Sequence, residues 1–437
     1  MAWPVRLSSL LMPAARLRTI CHQSWLSVAG RHFFAGDEPT AVLDWDYLLD
    51  PANADQIDAD VQRRKGVGNV WLVQELHAQY SAAAAAERLP VLRRLVAEAL
   101  RLPNRTRPSP DSDEMEVARK VGQKPSFDFP VKDFRHRAQK LNMFRMDNLG
   151  LLTGSRTYYL KHELAELEAA LVRHALSTLT GAGFRLVSVP DLLHSSYLEA
   201  CGVPVHGDRT MVYSLDERLH GDVCLSGTAE MALASLLAGR RLPPSRLPLR
   251  LAAVSRCFRP EVSNLEAESG LYRVHQFTKV EMFGVCDGDL SASEALLQEF
   301  VDLQQRIFTA LGLHIIIYDM PPHELGAAAY RKYDAEAWMP GRGLYGEVSS
   351  ASNCTDYQSR RLRVLDEAGR PLHTVNGTAC AVPRTLLALL ETHQRRDGSV
   401  AVPTPLRPLL GGLELLRPRP GRAQWSRPHR LRLSDQS

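Results

Sequence analysis

Residues 255–261 read Ser-Arg-Cys-Phe-Arg-Pro-Glu, and residues 271–281 read Leu-Tyr-Arg-Val-His-Gln-Phe-Thr-Lys-Val-Glu. The two segments predict a pair of antiparallel strands joined by a short polar loop. Because side chains alternate between the faces of a strand, Arg259 and Glu261 share one face, and the odd positions from 273 to 281 share one face of the partner. Such charges beside Phe277 suit a ligand with a flat base, several phosphates and an ammonium group. ATP together with an amino acid fits that description.

The composition bounds the class of protein. The 437 residues, 45% of them apolar, are enough for a large core and favour two domains. No apolar stretch reaches the roughly 18 residues that span a bilayer, so we expect no membrane partner. The seven cysteines lack Cys-x-x-Cys spacing, which argues for reduced thiols without structural zinc. A net charge of +4 predicts a local footprint for any nucleic-acid partner.

The N-terminal segment has the composition of a targeting sequence. Its first acidic residue is Asp37, and four arginines precede it among serines and apolar residues. This composition predicts a mitochondrial transit peptide over residues 1–36, and therefore a location in the mitochondrial matrix. The alternative is a basic tail without a targeting role.

The next segments differ in composition. Residues 37–101 predict an N-terminal helical arm, because apolar residues recur at helical spacing and five alanines occupy positions 82–86. Two helices of about 15 to 20 residues would extend about 25 to 30 Å. Residues 102–130 begin with a run rich in proline and turn formers and predict a linker. A large domain follows over residues 131–412.

Helices and strands alternate irregularly in the large domain. Leucines at helical spacing predict a helix over residues 161–180, followed by a strand over 184–190. Ser291 and Glu294 predict a capping box for a helix that ends near Gly312, and residues 313–320 predict another strand. This order predicts an α+β fold in which helices flank an antiparallel sheet.

Four blocks carry a family resemblance. They are Gly-Thr-Ala-Glu at 227–230, the strand pair 255–281, the polar run 345–361 and Asn-Gly-Thr-Ala-Cys-Ala-Val-Pro-Arg-Thr at 376–385. Together they resemble the seryl-tRNA synthetases, a family of class II aminoacyl-tRNA synthetases, over about residues 145–405. The resemblance implies a class II antiparallel sheet preceded by a short N-terminal helical hairpin.

The resemblance also implies a function. A serine-tRNA ligase activates L-serine with ATP and Mg²⁺ to seryl-adenylate and transfers the seryl group to the 3′ end of tRNA(Ser). It implies a homodimer, with the helix and strand over 161–190 at the interface; packing of that helix within its own subunit is the alternative. The basic tail over 413–437, with six arginines from Arg417 to Arg432, would then be either a flexible arm on tRNA phosphates or a solvated segment.

Matching positions imply the roles of single residues. Arg259 would hold the α-phosphate, Glu261 the adenine amino group, and Arg384 the terminal phosphates at the start of a helix that Pro383 begins. Glu347 and Ser350 would be the Mg²⁺ ligands, which needs a local bend because strict strand alternation would pair Glu347 with Ser349 instead. The catalytic residues are thus Arg259 and Arg384. The ATP-binding positions are Arg259, Pro260, Glu261, Val274, Phe277, Glu347, Val348, Ser349, Ser350 and Arg384. The serine-binding positions are Thr228, Ala229, Glu230, Glu281 and Thr378.

These residue types suit adenylyl transfer. The reaction depends on positioning and on neutralising charge at phosphate oxygens, so guanidiniums and carboxylates serve better than a nucleophilic triad. A site built to pair the hydroxyl of serine disfavours alanine, because buried polar groups would then lose their partners.

The sequence departs from the family at two places, and two other functions compete. The helical arm is shorter than usual, which suits a trimmed organellar tRNA. Ser269 stands where the family often has arginine in the loop that meets the tRNA acceptor end. One competing function is a catalytically inactive paralogue that binds tRNA or a protein. The other is a synthetase for threonine or proline. Arg259, Glu347, Arg384 and Thr228 are all present, which favours an active enzyme, and the segments 275–281 and 349–354 favour serine.

Overall fold

The computed structural model describes residues 43–64, 67–108, 114–146, 149, 153–154, 156–205, 212–261 and 270–418. The predicted transit peptide, the loop that contains Ser269 and most of the predicted tail lie outside these ranges. Within them, no helix has both the length and the apolar character needed to cross a membrane.

The N-terminal region forms a helical unit with its own core. Its helices are α1 (Trp45–Leu49), α2 (Ala54–Arg63), α3 (Val70–Ala82) and α4 (Ala85–Arg101). Asn69 caps α3 by accepting a hydrogen bond from the Leu72 amide at 3.0 Å. Only residues 83 and 84 separate α3 from α4, and the two helices pack against each other. Buried Val73, Leu76 and Leu95 fill the space between the helices. The predicted short hairpin is therefore present, with helices of 13 and 17 residues.

The large domain contains the remaining elements, with short 3₁₀ helices between several of them. In chain order, the first half contains β1 (Glu116–Val121), α5 (Phe134–Leu141), β2 (Phe144–Arg145), β3 (Tyr159–Leu160), α6 (Glu163–Gly181), β4 (Arg185–Leu186), β5 (Leu192–His194), α7 (Ser195–Ala200), β6 (Tyr213–Ser214), α8 (Glu217–His220), β7 (Val223–Leu225), α9 (Glu230–Leu236), β8 (Arg241–Leu242) and β9 (Leu249–Phe258). The second half contains β10 (Gln276–Cys286), α10 (Leu290–Ala310), β11 (Ile315–Asp319), β12 (Arg331–Met339), β13 (Leu344–Thr355), α11 (Tyr357–Leu362), β14 (Leu365–Asp366), β15 (His373–Ala381), α12 (Val382–Thr392), β16 (Val400–Ala401) and β17 (Leu415–Leu416).

An eight-stranded sheet organises this domain, in the order β1-β11-β12-β13-β15-β10-β9-β4. Neighbouring strands are antiparallel except β4, which pairs parallel to β9 at one edge. Ala252 of β9 faces a core formed with α6, α10 and α12, whereas Leu251 and Ala253 face a second core formed with α7 and α9. Different segments of the chain therefore cover the two faces of the sheet. Polar residues at one end of the sheet are not part of either core, and this end is available for a site.

Several predicted boundaries were wrong. Residues 116–121 belong to the sheet rather than to a linker, because β1 pairs with β11 at the edge. Residues 413–416 belong to the large domain rather than to the tail, because β17 pairs with β16 and buries Leu416. The strand predicted over 184–190 is only the two residues of β4.

Both long helices predicted in the large domain are present in the structure. The helix predicted over 161–180 is α6, and the helix predicted to end near Gly312 is α10. The side chain of Asp289, not Ser291, caps α10: it accepts a hydrogen bond from the Ser291 amide at 3.2 Å.

Candidate active site

A cavity of about 370 Å³ opens at the polar end of the sheet and brings the four sequence blocks together. Twelve of the fifteen predicted site residues line it. They are Thr228, Glu230, Arg259, Glu261, Val274, Phe277, Glu281, Glu347, Ser349, Ser350, Thr378 and Arg384. The other three, Ala229, Pro260 and Val348, are not among the lining residues, and Ala229 and Val348 are buried in the two cores. Segments far apart in the chain therefore converge on one pocket.

Arg259 lies one residue beyond the end of β9. Its amide donates to the carbonyl of His275 at 2.9 Å, and its Nε donates to the carbonyl of Gly227 at 3.4 Å. The guanidinium carbon is 5.4 Å from the ring centroid of Phe277, within cation–π range. The expectation that residues 255–261 form a continuous strand was therefore wrong at its end. Arg259 leaves the sheet and bends over the cavity.

Glu261 and Arg273 form the other end of this cluster. Arg273 Nη1 and Glu261 Oε2 are 3.3 Å apart, although the two residues belong to segments that flank the strands rather than to β9 and β10 themselves. A 3₁₀ turn over Gly270–Tyr272 precedes β10. The ion pair therefore orients a carboxylate at the mouth of the cavity.

Arg384 sits in the first turn of α12, which begins at Val382, one residue before the predicted start at Pro383. Its Nη1 donates to Glu347 Oε2 at 3.0 Å, and its Nε donates to the carbonyl of Tyr272 at 3.1 Å. The Tyr272 ring also lies under this guanidinium, with 4.5 Å between the guanidinium carbon and the ring centroid. Helix N-termini attract anions, so the guanidinium of Arg384 lies at a helix end that favours negative charge, and Pro383 and Arg384 of this turn both line the cavity.

A β-bulge supplies the bend that the sequence required on β13. Ser349 pairs with Ala335 and Glu347 pairs with Glu336, so Val348 is an extra residue without a cross-strand partner. A bulge reverses the alternation of side chains at that point. Glu347 and Ser350 consequently both line the cavity.

Electrostatics hold Glu347 ionised. Burial by itself would raise the pKa of this carboxyl. The positive charges of Arg384, Lys332 and Arg259 have a larger effect in the opposite direction, and the pKa of Glu347 falls well below its usual range. Burial and the charge of Glu347 act the other way on Asp334, whose pKa is raised. The Oδ1 atom of Asp334 is buried without a hydrogen-bond partner among the described residues. Asp334 faces Ser350 across the strands.

Lys279 lies at the centre of a buried network that the sequence left unassigned. Its Nζ is 2.5 Å from Glu281 Oε2 and donates to Thr228 Oγ1 at 2.7 Å. Thr378 Oγ1 donates to Glu281 Oε2 at 3.4 Å. The lysine and glutamate side chains are only 7% and 3% exposed. The network therefore ties the Thr-Ala-Glu turn to β10 and β15.

Glu230 at the start of α9 is held by two amides. Gln358 Nε2 and Asn376 Nδ2 donate to its Oε1 at 2.6 and 2.8 Å. Loss of hydration and the charge of Glu281 raise the pKa of Glu230 to about 7. Sequence reasoning missed Gln358, Asn376 and Tyr272. All three lie within the four sequence blocks, but their side chains gave no sign of a role.

The described residues form no cluster of three or more His, Cys, Asp or Glu side chains arranged to hold a metal on their own. The oxygen donors of Glu347, Ser350 and Asp334 nevertheless suit a hard cation that takes its other ligands from phosphates and water. Lys332 already pairs with Asp334 Oδ2 at 2.6 Å, and a divalent cation would give the buried Oδ1 a partner and offset the repulsion between the carboxylates of Asp334 and Glu347.

An antiparallel sheet whose polar end holds two guanidiniums, a stacking ring and a carboxylate defines the catalytic core of a class II aminoacyl-tRNA synthetase. The family model described as the class II core domain of tRNA synthetases for G, H, P, S and T matches residues 213–393.

Individual relatives narrow the assignment. The chain is 46% identical over 353 residues to the mitochondrial serine–tRNA ligase of Mus musculus, covering 78% of this chain and 68% of that enzyme. It is 48% identical over 320 residues to the mitochondrial serine–tRNA ligase of Bos taurus, covering 72% and 62%. It is 45% identical over 328 residues to the serine–tRNA ligase of Rubrobacter xylanophilus, covering 73% and 76%.

A solved structure agrees. The seryl-tRNA synthetase from Pyrococcus horikoshii complexed with ATP superposes with a TM-score of 0.72 at 28% identity, over 84% of this chain and 88% of that one. The chain belongs to the serine–tRNA ligase family. The predicted fold class and the assignment to aminoacyl-tRNA ligases are thereby confirmed, and none of these comparisons supports the inactive alternative.

Proposed function

We propose that this protein joins L-serine to ATP to form seryl-adenylate and then transfers the seryl group to the 3′ end of tRNA(Ser). One observation carries the proposal: Arg259, Arg384 and Glu347 line a single cavity although the sequence separates them widely. In the first step an oxygen of the serine carboxylate bonds to the α-phosphorus, and the bond to pyrophosphate breaks. In the second step a ribose hydroxyl displaces AMP.

The ATP end of the cavity lies between the two arginines. Adenine stacks on Phe277, and Glu261 accepts a hydrogen bond from the adenine amino group. Arg259, which bends over that ring, neutralises the α-phosphate, where charge develops in the transition state. Arg384 holds the terminal phosphates beside the amides of the first turn of α12. The structurally similar seryl-tRNA synthetase from Pyrococcus horikoshii was solved in complex with ATP, which supports ATP as the nucleotide that this cavity binds.

Glu347 and Ser350 would hold Mg²⁺, and Asp334, which pairs with Ser350 across the strands, would support them. When bound, Mg²⁺ neutralises phosphate charge and fixes the geometry of the triphosphate. The ion pair of Arg384 with Glu347 keeps the carboxylate ionised and aimed into the cavity. ATP therefore enters a site in which both charges are already oriented.

The serine end lies around Glu230. The carboxylates of Glu230 and Glu281 hold the ammonium group, and Thr378 and Thr228 lie within the same network. Lys279 partly balances the two carboxylates and keeps Glu281 in place. A substrate that lacks the serine hydroxyl leaves buried polar groups unpaired, which disfavours alanine.

Three wider proposals concern cell location and partners. The mouse and bovine relatives are named mitochondrial, which supports action in the mitochondrial matrix. Exposed Arg93 and Arg94 on α4 offer phosphate contacts for tRNA, in keeping with the helical arm as the tRNA-binding element. Exposed Tyr159 and Leu186, on the short strands β3 and β4 that precede and follow α6, support a homodimer.

The test is exchange of radioactive pyrophosphate into ATP by the purified full chain, with serine, threonine or alanine supplied. We expect exchange with serine only, and its loss in Arg384→Gln. Arg306→Gln, an exposed arginine on α10, is the matched control and keeps exchange. A folded protein without serine-dependent exchange would reject the proposal, and preference for threonine would reassign the substrate.

A further inference from the structure

The loop 326–329 forms one wall of the amino-acid end of the cavity. Ala327, Ala328 and Ala329 all line it, and Ala328 and Ala329 are themselves buried. Gly202 lies against this wall, since a Cβ built on it would meet the Ala328 amide nitrogen at 3.2 Å. The wall therefore borders the space in which the amino-acid side chain is expected to sit.

Two residues from outside the sheet, Arg64 and Asn104, form hydrogen bonds with the backbone of this wall. The carbonyl of Gly326 accepts a hydrogen bond from Arg64 Nη2, at the end of α2. The carbonyl of Ala327 accepts a hydrogen bond from the backbone N–H of Asn104 at 2.8 Å. The carbonyl of Ala328 accepts one from the side-chain Nδ2 of Asn104 at 2.9 Å. Three consecutive carbonyls of the loop are thus bound by two residues of the N-terminal segment.

Asn104 also connects the wall to the substrate-facing end of β13. Its Nδ2 lies 2.9 Å from the carbonyl of Cys354 and 3.0 Å from Thr355 Oγ1. Asn376 Nδ2 lies 3.3 Å from Cys354 Sγ and donates to Glu230. A continuous set of contacts therefore runs from Asn104 through Cys354 and Asn376 to Glu230.

Both residues are buried and bound to each other. Arg64 is 5% exposed and Asn104 is 8% exposed. Arg64 Nη1 donates to the carbonyl of Asn104 at 2.7 Å. Burial lowers the pKa of Arg64 to about 10, in keeping with a guanidinium that has left water. Removing either residue would leave loop carbonyls without partners and let the loop move.

We propose that Arg64 and Asn104 are positioning residues that set the width of the serine end of the cavity by fixing the loop 326–329. The inference rests on the proposed function. If Arg64 and Asn104 act in this way, the N-terminal helical unit contributes to amino-acid selectivity as well as to tRNA binding. Small alanine side chains in the wall leave room for serine, and only a fixed backbone keeps a larger amino acid out.

The decisive variants are Asn104→Asp and Arg64→Lys. The first is nearly isosteric, retains the oxygen that accepts from the Arg105 amide, and replaces two N–H donors by an acceptor that faces the carbonyls of Ala328 and Cys354. The second keeps the charge but cannot bind the carbonyls of Gly326 and Asn104 together. Asn53→Asp is the matched control, because Asn53 donates to the Tyr47 carbonyl within the helical unit.

The measurement is pyrophosphate exchange with serine and threonine. For Asn104→Asp we expect the KM for serine to rise about tenfold or more and the KM for ATP to stay within about twofold. Exchange with threonine relative to serine should rise, and Arg64→Lys should show a smaller change in the same direction. The ratio of threonine to serine is decisive, because a general loss of stability lowers both rates together.

Two results separate the possible failures. If the parent protein exchanges with serine but both variants match Asn53→Asp in serine KM and in the threonine ratio, the inference is wrong and the proposed function stands. If the folded parent shows no serine-dependent exchange, both are wrong. Should Asn104→Asp fail to fold, the threonine ratio of Arg64→Lys decides in the same way.

Discussion

The titration of Glu230 should make serine binding depend on pH near neutrality. Loss of hydration and the charge of Glu281 raise its pKa to about 7, and the hydrogen bond from Gln358 with the charges of Lys279 and Arg259 offsets this only in part. Only the ionised carboxylate attracts the ammonium group of serine. Because the pKa is raised, the attraction is present above about pH 7 and is lost as the pH falls.

The size of the effect follows from the pKa. With a pKa of about 7, roughly nine tenths of Glu230 is ionised at about pH 8 and roughly one tenth at about pH 6. The KM for serine should therefore rise about ninefold between these two conditions. The thiols of Cys201 and Cys354 beside Glu230 should not contribute, because burial raises both of their pKa values well above the usual range.

The assay is pyrophosphate exchange with serine and ATP varied separately across this pH range. We expect the step in the KM for serine and a nearly level KM for ATP. Glu230→Gln preserves an acceptor for Gln358 and Asn376 but carries no charge, so it should raise the KM for serine and remove the step. A level serine profile in the parent protein, or an unchanged step in Glu230→Gln, would refute the assignment of Glu230.

Three further changes test the other parts of the site. Arg384→Lys cannot bind Glu347 and the Tyr272 carbonyl together, so the exchange rate should fall about 100-fold; a change below about fivefold would argue against its role. Phe277→Ala should raise the KM for ATP by about tenfold or more and leave the KM for serine unchanged. An unchanged KM for ATP would mean that adenine does not stack on this ring. Lys279→Met leaves Glu281 buried without its partner, so urea unfolding should show a loss of about 3–5 kcal/mol, which Lys279→Met/Glu281→Gln should largely restore.

Local rules predicted the elements that depend on neighbouring residues. The leucine spacing predicted α6, and the proline at position 383 predicted the start of α12. The match of Glu347 and Ser350 to the family's Mg²⁺ ligands required a bend in this strand, and the structure has a bulge at Val348. The two helix features depend on contacts within a few residues, which is why the sequence pattern contains that information.

The same rules failed where distant segments decide the outcome. The polar run after Leu102 predicts a linker, but Asn104 is buried against Ala328 and Cys354, and β1 completes the edge of the sheet. Composition cannot foresee these partners, because an exposed loop and a docked loop can have the same residues. The role of Lys279 was missed for the same reason, since its charge is explained only by Thr228 and Glu281 around it.

The amino-acid sequence by itself determined which chemistry this chain carries, because the residue types of the four blocks are sufficient to identify guanidiniums that suit phosphates and carboxylates that suit an ammonium group or a cation. Only the tertiary structure decided how those groups are arranged. The pairing of β12, β13, β15 and β10 places Glu347, Thr378 and Glu281 around one cavity, and Arg64 and Asn104 form hydrogen bonds with the loop 326–329 in its wall. Side-chain chemistry is local to a residue, whereas distances and pKa shifts arise from neighbours that the chain brings together only on folding.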